Sequence, residues 1–254
     1  MLSKNTIKRL NQLTNKKNRL KESLFIVEGD KMILELAGSD YKVTELYITT
    51  EMEPSISKDK FPDTHIQLVS SAELKKISQL KTPQNSLAVC CIQDQYQLPQ
   101  LLTESLSVYL DGIQDPGNLG TILRICDWFG IQHIFVSADT VDIYNPKVIQ
   151  ASMGSFARVK VYETEFAVVK SLATKSEAVI YGAFMDGENV YNQKLAKKAI
   201  LVMGNEGNGI RPEIENQINQ RVSIPNFSDS QQKAESLNVS VATAVLVSEF
   251  KRKL

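Results

Sequence analysis

Apolar positions along the chain follow two spacings that alternate. Ile7, Leu10 and Leu13 recur at helical intervals near the start. Phe25-Ile26-Val27, Val43 to Ile48 and Ile66 to Val69 are short runs of strand length, rich in β-branched and aromatic residues. Asp30 is placed to cap a helix through Ala37, and Ser70 with Glu73 forms a capping-box pattern ahead of Leu74 to Leu80. Ser86 to Ile92 is apolar almost throughout and predicts a buried strand that closes a small α/β unit.

Gln93 to Gln100 is polar, contains Pro99, and reads as a linker. Beyond it the alternation is regular. Val108-Tyr109-Leu110 predicts a strand, followed by a helix from about Asn118, its capping residue, to Phe129, with Gly130 as the stop. His133 to Ser137 and Val159 to Tyr162 predict strands either side of a helix that starts at Pro146. Phe166 to Thr174 predicts a helix, Ala178 to Phe184 and Ala199 to Met203 strands. A helix with Pro212 near its start and a strand from Arg221 to Pro225 follow. Ser236-Leu237-Asn238 opens the last helix, with Ser236 as cap, and the apolar pattern runs to Phe250. Strands alternating with helices predict an α/β fold with a mostly parallel sheet covered on both faces. Ligands in such sheets gather at the carboxyl ends of the strands. The expected division is a first domain over 1–92, a linker over 93–106 and a second domain over 107–254.

With 254 residues, 43% of them hydrophobic, the chain can bury a sizeable core. Basic and acidic residues balance at 29 each, but unevenly. Met1 to Lys21 holds seven basic residues and no acidic one, and Glu22 is the first carboxylate. Such a stretch attracts polyanions; it also reads as the solvated face of a helix. The three cysteines, with Cys90 and Cys91 adjacent, form neither a disulfide framework nor a zinc pattern. With only His65 and His133, a histidine metal site is not expected. These features imply a reducing, cytoplasmic setting. The first residues lack the apolar core of a signal peptide, and no apolar run is long enough for a bilayer.

Three loops carry unusual residues. Asp111-Gly112-Ile113-Gln114-Asp115-Pro116-Gly117-Asn118 leads into the helix that holds Arg124 among Ile122, Leu123, Ile125 and Trp128. A guanidinium in apolar company calls for an anionic partner, either a structural carboxylate or a phosphate. Gly204-Asn205-Glu206-Gly207-Asn208-Gly209 follows an apolar strand. Its G-x-x-G-x-G spacing is not the dinucleotide fingerprint, no Lys-Ser/Thr pair follows, and Glu206 would repel a pyrophosphate. Bare backbone beside a carboxylate suits a neutral or cationic ligand such as S-adenosylmethionine; a plain turn is the alternative. The third loop is Ser223-Ile224-Pro225, followed after ten residues, Asn226 to Glu235, by Ser236-Leu237-Asn238.

Together these loops resemble the three motifs of the SpoU/TrmH family of RNA 2′-O-ribose methyltransferases, of the SPOUT class. Asn145-Pro146-Lys147 through Ala151-Ser152-Met153-Gly154-Ser155 matches as well. The run ending Phe25-Ile26-Val27-Glu28-Gly29 is similar to the substrate-binding domain these enzymes often carry. The resemblance implies a SPOUT sheet with a C-terminal trefoil knot, a homodimer with its active site near the subunit interface, and a ribosomal-protein-like RNA-binding domain in front. It implies S-adenosylmethionine as cofactor, RNA as partner, ribosomal more than transfer RNA, and neither metal nor membrane. Residue by residue, Asn118 and Arg124 match the catalytic pair of the first motif, Glu206 the acidic position of the second, and Ser236 and Asn238 the polar pair of the third. Gly204, Ile224 and Leu237 match the positions that hold the adenosyl group. A guanidinium titrates above about 12, so Arg124 is expected to grip the adjacent phosphate and polarise the 2′-hydroxyl rather than act as base. The spacer Asn226 to Glu235 is longer than the family pattern and reads as a lid over the cofactor. A non-catalytic RNA-binding protein and a base methyltransferase are the rival functions.

Overall fold

A computed structural model describes residues 1–93, 96–103, 105–228 and 235–252. The linker expected over 93–106 and the lid expected over Asn226 to Glu235 fall partly outside these residues. The chain forms two compact units, one from Met1–Asp94 with Asp142–Arg158, the other from Gln95–Val141 with Val159–Leu254. The segment Asp142–Arg158 thus groups with the first unit, in contrast to the unbroken division expected from the sequence.

In the first unit α1 (Lys4–Gln12) and α2 (Lys16–Glu22) precede β1 (Leu24–Glu28), α3 (Asp30–Leu36), β2 (Val43–Ile48), β3 (His65–Leu68), α4 (Ser71–Ile77) and β4 (Ser86–Cys91). The sheet order is β1-β4-β2-β3; β4 runs antiparallel to both neighbours, whereas β2 and β3 are parallel. Ser3 and Asn15 cap the first two helices, and Ser70 with Glu73 makes the expected capping box. Backbone N–H groups, that of Ser70 first, hold the Glu73 carboxyl down at about 2. Asp30 is not a cap: it is the first residue of α3, and its carboxylate accepts from Asn85 and Ser86 instead. Leu10, Leu13, Ile26, Tyr47, Leu74, Leu87 and Val89 pack into one core. Two residues of the basic stretch are tied to carboxylates. Arg19, only 2% exposed, pairs with Asp142 at 2.6 Å and donates to the carbonyls of Leu13 and Thr14. Arg9 forks onto Glu45 at 2.7 and 2.6 Å.

The segment from Asp142 carries a short helix, α6 (Pro146–Ser152), which starts at Pro146 as expected and is capped by Asn145. It packs by aromatic contact: Tyr144 lies 4.6 Å from Phe25 and Phe156 lies 5.4 Å from Tyr41, between ring centroids. Gly154 has φ +93°, and a Cβ there would lie 1.8 Å from a Glu35 carboxylate oxygen that is ion-paired with Arg158. Gly154→Ala is therefore expected to lower stability by about 1–3 kcal/mol through backbone strain and loss of that pair, read from the urea midpoint.

The second unit contains β5 (Leu106–Asp111), α5 (Pro116–Trp128), β6 (His133–Val136), β7 (Lys160–Glu163), α7 (Phe166–Ser176), β8 (Val179–Asn189), β9 (Ala199–Gly204), α8 (Pro212–Glu215), β10 (Gln220–Ser223) and α9 (Val239–Arg252), α6 being the Pro146–Ser152 helix above. Its six strands run in the order β10-β8-β9-β5-β6-β7, and every pairing is parallel. The central strands are buried on both faces, as a sheet covered on two sides requires: Leu106 to Asp111 and Ala199 to Met203 are buried throughout. The chain leaves β5 towards β6 and leaves β9 towards β10, in opposite directions along the sheet. The carboxyl ends of these two neighbours form a topological switch point, where open α/β sheets bind ligands.

Two caps differ from expectation. Asp115 caps α5, accepting from the Asn118 N–H at 2.9 Å, with Pro116 in the first turn. Asn238 rather than Ser236 serves α9, its Oδ1 accepting from the Ser240 N–H at 3.0 Å. Helix starts here satisfy their free N–H groups with the nearest well-placed carboxyl or amide oxygen.

Candidate active site

The register of the sheet places the first two loops side by side. Asp111 ends β5 directly opposite Gly204, which ends β9. From Gly204 the chain makes a tight turn in which Asn205 and Gly209 exchange backbone hydrogen bonds at 2.9 and 3.0 Å. The Asn205 side chain accepts from the N–H groups of Gly207 and Asn208 and donates to the Gly112 carbonyl at 2.7 Å. This turn holds Glu206 over the start of α5. Because Asp115 caps that helix, the Asn118 side chain remains available. Its Nδ2 donates to Glu206 Oε1 at 2.8 Å.

The third loop closes the set. Helix α9 packs along α5, so its start reaches the start of α5. Asn238 Nδ2 donates to Asn118 Oδ1 at 2.9 Å. Glu206, Asn118 and Asn238, from three motifs up to 120 residues apart, form one hydrogen-bonded chain. An asparagine that donates to a carboxylate and accepts from a second amide has its orientation set by both. Glu206 and Asn238 are exposed and Asn118 is half-buried, so a ligand can reach the chain.

Among the described residues, the remaining expected residues make no hydrogen bond to this chain. Gly204 forms the foot of the Glu206 turn. Leu237 precedes Asn238 and is 50% exposed, and Ile224 follows β10 and is half-buried; both offer apolar surface. Ser236 is exposed, and among the described residues it makes no hydrogen bond. Arg124 differs most from expectation. Six residues along α5 from Asn118, it sits about 9 Å further on and about 120° round the helix. It is exposed while Ile122 and Leu123 are buried, and among the described residues it has no carboxylate partner. The structural salt bridge expected as one alternative is absent among those residues. On the same outer face stands Trp128, 84% exposed.

Sequence reasoning missed Asp111 and Arg211. The Asp111 carboxylate is fully buried and accepts from the Arg211 backbone N–H at 2.8 Å and its Nε at 2.6 Å. That hydrogen bond raises the guanidinium above its usual range. Burial, with Asp111 nearby, pushes the Tyr109 hydroxyl up to about 12, so it stays protonated. The available signal was a charged residue closing an otherwise apolar strand. No His, Cys, Asp and Glu cluster among the described residues could hold a metal, and no described helix is long and apolar enough to cross a membrane.

Comparison with known proteins places this geometry. Residues 105–248 match the SpoU rRNA Methylase family, and residues 4–88 match the MRM3-like substrate binding domain. The chain is 28% identical over 242 residues to the 23S rRNA (guanosine(2553)-2'-O)-methyltransferase RlmP of Bacillus subtilis, covering 95% of this chain and 94% of that protein. A TrmH-family structure from Porphyromonas gingivalis is 39% identical, with TM-score 0.88 and full coverage of both chains. An AdoMet-bound rRNA methyltransferase from Sinorhizobium meliloti, 24% identical, shares the fold with TM-score 0.87 over 100% of this chain and 97% of its own.

Proposed function

The chain belongs to the SpoU rRNA methylase family, and from that premise we propose that it methylates a ribose 2′-oxygen of ribosomal RNA with S-adenosylmethionine as donor. The observation that carries this reading is the Glu206–Asn118–Asn238 chain at the switch point. The residues present suit the donor. Gly207 and Gly209 offer bare backbone whose outer side is open, since a Cβ on Gly209 would meet nothing within 4 Å. Leu237 and Ile224 offer apolar faces for an adenine, and Glu206 supplies negative charge to a sulfonium or an ammonium. When bound, the donor supplies a methyl group on a good leaving group. The protein's tasks are to hold the ribose 2′-oxygen in line with the donor and to leave its proton a path to solvent water.

In this reading Asn118 and Asn238 orient the ribose and Glu206, Ser236 adds a hydroxyl beside Asn238, and Gly204, Ile224 and Leu237 frame the adenosyl group. Arg124 grips the phosphate next to the target ribose. Its position on an outer face with Trp128 supports a homodimer in which that face meets a second subunit. The trefoil knot of the SPOUT class belongs to the same proposal, as does a cytoplasmic location. The experiment is direct: the purified protein should take up S-adenosylmethionine by calorimetry, and ribosomal RNA from cells lacking it should lose one 2′-O-methyl mark. No uptake and an unchanged methylation map would overturn the reading.

RNA contact is assigned to the first unit. Its 16 Lys and Arg outnumber 13 Asp and Glu, whereas the second unit has 13 against 16. With Arg9 and Arg19 committed to ion pairs, Lys4, Lys8, Lys16, Lys17 and Lys21 are the exposed cations of the basic stretch. Each lysine on a phosphate adds about 0.7–0.9 to the salt slope of binding. Changing all five to Gln should lower the slope by at least about 2 and weaken RNA binding by at least about tenfold near 0.1 M salt. An unchanged slope would place the contact elsewhere.

A further inference from the structure

We propose that Arg211, braced on the buried Asp111, is a positioning residue that fixes the Glu206 turn against Asn118, with Asn205 as the second brace. The inference rests on the role given above to Glu206.

The turn between Gly204 and Arg211 stands on two feet, and both rest on the same two residues. On its far side, Arg211 binds Asp111 through its backbone N–H at 2.8 Å, Nε at 2.6 Å and Nη2 at 2.5 Å. On its near side, Asn205 Nδ2 binds the Gly112 carbonyl at 2.7 Å. Asp111 and Gly112 are also where the chain leaves β5 for Asn118. Glu206 and Asn118 are therefore carried from one base, and their 2.8 Å contact depends on both feet holding.

The strength of the far foot follows from burial. The Asp111 side chain has no exposed surface, and a carboxylate so placed is tolerated only with close, charge-assisted partners. The planar guanidinium sets Nε and Nη2 together on Oδ1 while the backbone N–H takes Oδ2, an arrangement an ammonium cannot reproduce. Arg211 is 41% exposed, which suggests an RNA contact as an alternative. The charges around it argue otherwise. Its guanidinium lies 3.7 Å from Asp139 and 3.9 Å from Glu213 besides Asp111, so three carboxylates surround one cation. A phosphate approaching there would meet net negative charge.

The test is a double-mutant cycle in the full chain, read as single-turnover methyl transfer with saturating S-adenosylmethionine and RNA. Arg211→Lys, which keeps the charge and loses the paired Nε and Nη2 contact, should slow transfer at least tenfold, with cofactor affinity falling through the same turn. Asn205→Asp, which keeps the acceptor for Gly207 and Asn208 and loses the donor to Gly112, should act in the same direction. It serves in place of Arg211→Lys should that variant fail to melt cooperatively. In a Glu206→Gln background, itself slowed, either change should alter the rate less than twofold, because the positioned carboxylate is gone. Equal losses in both backgrounds, or no loss in the wild-type background, would overturn the positioning role and leave the assignment of Glu206 standing. A fully active Glu206→Gln variant would overturn that assignment and this inference with it.

Discussion

Arg124→Ala should bind S-adenosylmethionine as the wild type does and transfer methyl groups about 10²–10³ times more slowly, the cost of removing one well-placed charge-stabilising donor. The argument rests on what Arg124 does not do. It is exposed on α5 and, among the described residues, holds no carboxylate or carbonyl. A surface substitution of that kind changes stability by no more than about 0.5 kcal/mol, so a large rate loss cannot come from a damaged fold. Nor does the guanidinium belong to the Glu206–Asn118–Asn238 chain, so the cofactor side of the site stays intact. The loss should fall on the chemical step and on RNA contact. Calorimetry with S-adenosylmethionine checks that donor binding is intact, and single-turnover transfer at saturating RNA separates the chemical step from RNA contact. Wild-type transfer by this variant would remove Arg124 from the mechanism.

Much of this arrangement was legible in the sequence, for reasons that can be named. Most strands are short runs of four to six residues bounded by loop residues, and the Asn-Pro and capping-box starts mark the short helix at Pro146 and α4. The motif residues Asn118, Glu206 and Asn238 proved to be joined because the strands before the first two are paired neighbours and α9 lies along α5. What was misread has physical causes. Asp115 and Asn118 compete to cap one helix, as Ser236 and Asn238 compete for another, and local sequence does not rank them; Pro116 was the available sign for Asp115. The grouping of Asp142–Arg158 with the first unit depends on Phe25, Tyr41 and Arg19, partners more than a hundred residues away, to which no local pattern points. The Asp111–Arg211 brace is likewise a contact between residues 100 positions apart.

Gly204→Ala should abolish useful cofactor binding. A Cβ on Gly204 would lie 2.3 Å from the Gly209 carbonyl carbon, 2.4 Å from the Ile210 nitrogen and 2.6 Å from the Gly209 oxygen. All three are backbone atoms, so no side chain can swing aside; the turn itself must move. Moving it breaks the paired hydrogen bonds between Asn205 and Gly209 and lifts Glu206 from Asn118. Inserting a methyl group into packed structure costs about 1–3 kcal/mol, which a domain of this size survives. A displacement of about 1 Å at a site costs on the order of 10²-fold, and the expected loss of S-adenosylmethionine affinity is at least that large. Gly207→Ala is the stability control: its Cβ would have Asn205 Oδ1 at 3.6 Å as its one neighbour, an ordinary contact, so its urea midpoint should stay near the wild-type value. A Gly204→Ala protein that melts cooperatively and still binds the donor with wild-type affinity would show that the turn does not need its tight closure, and the cofactor would then have to be held elsewhere on the second unit.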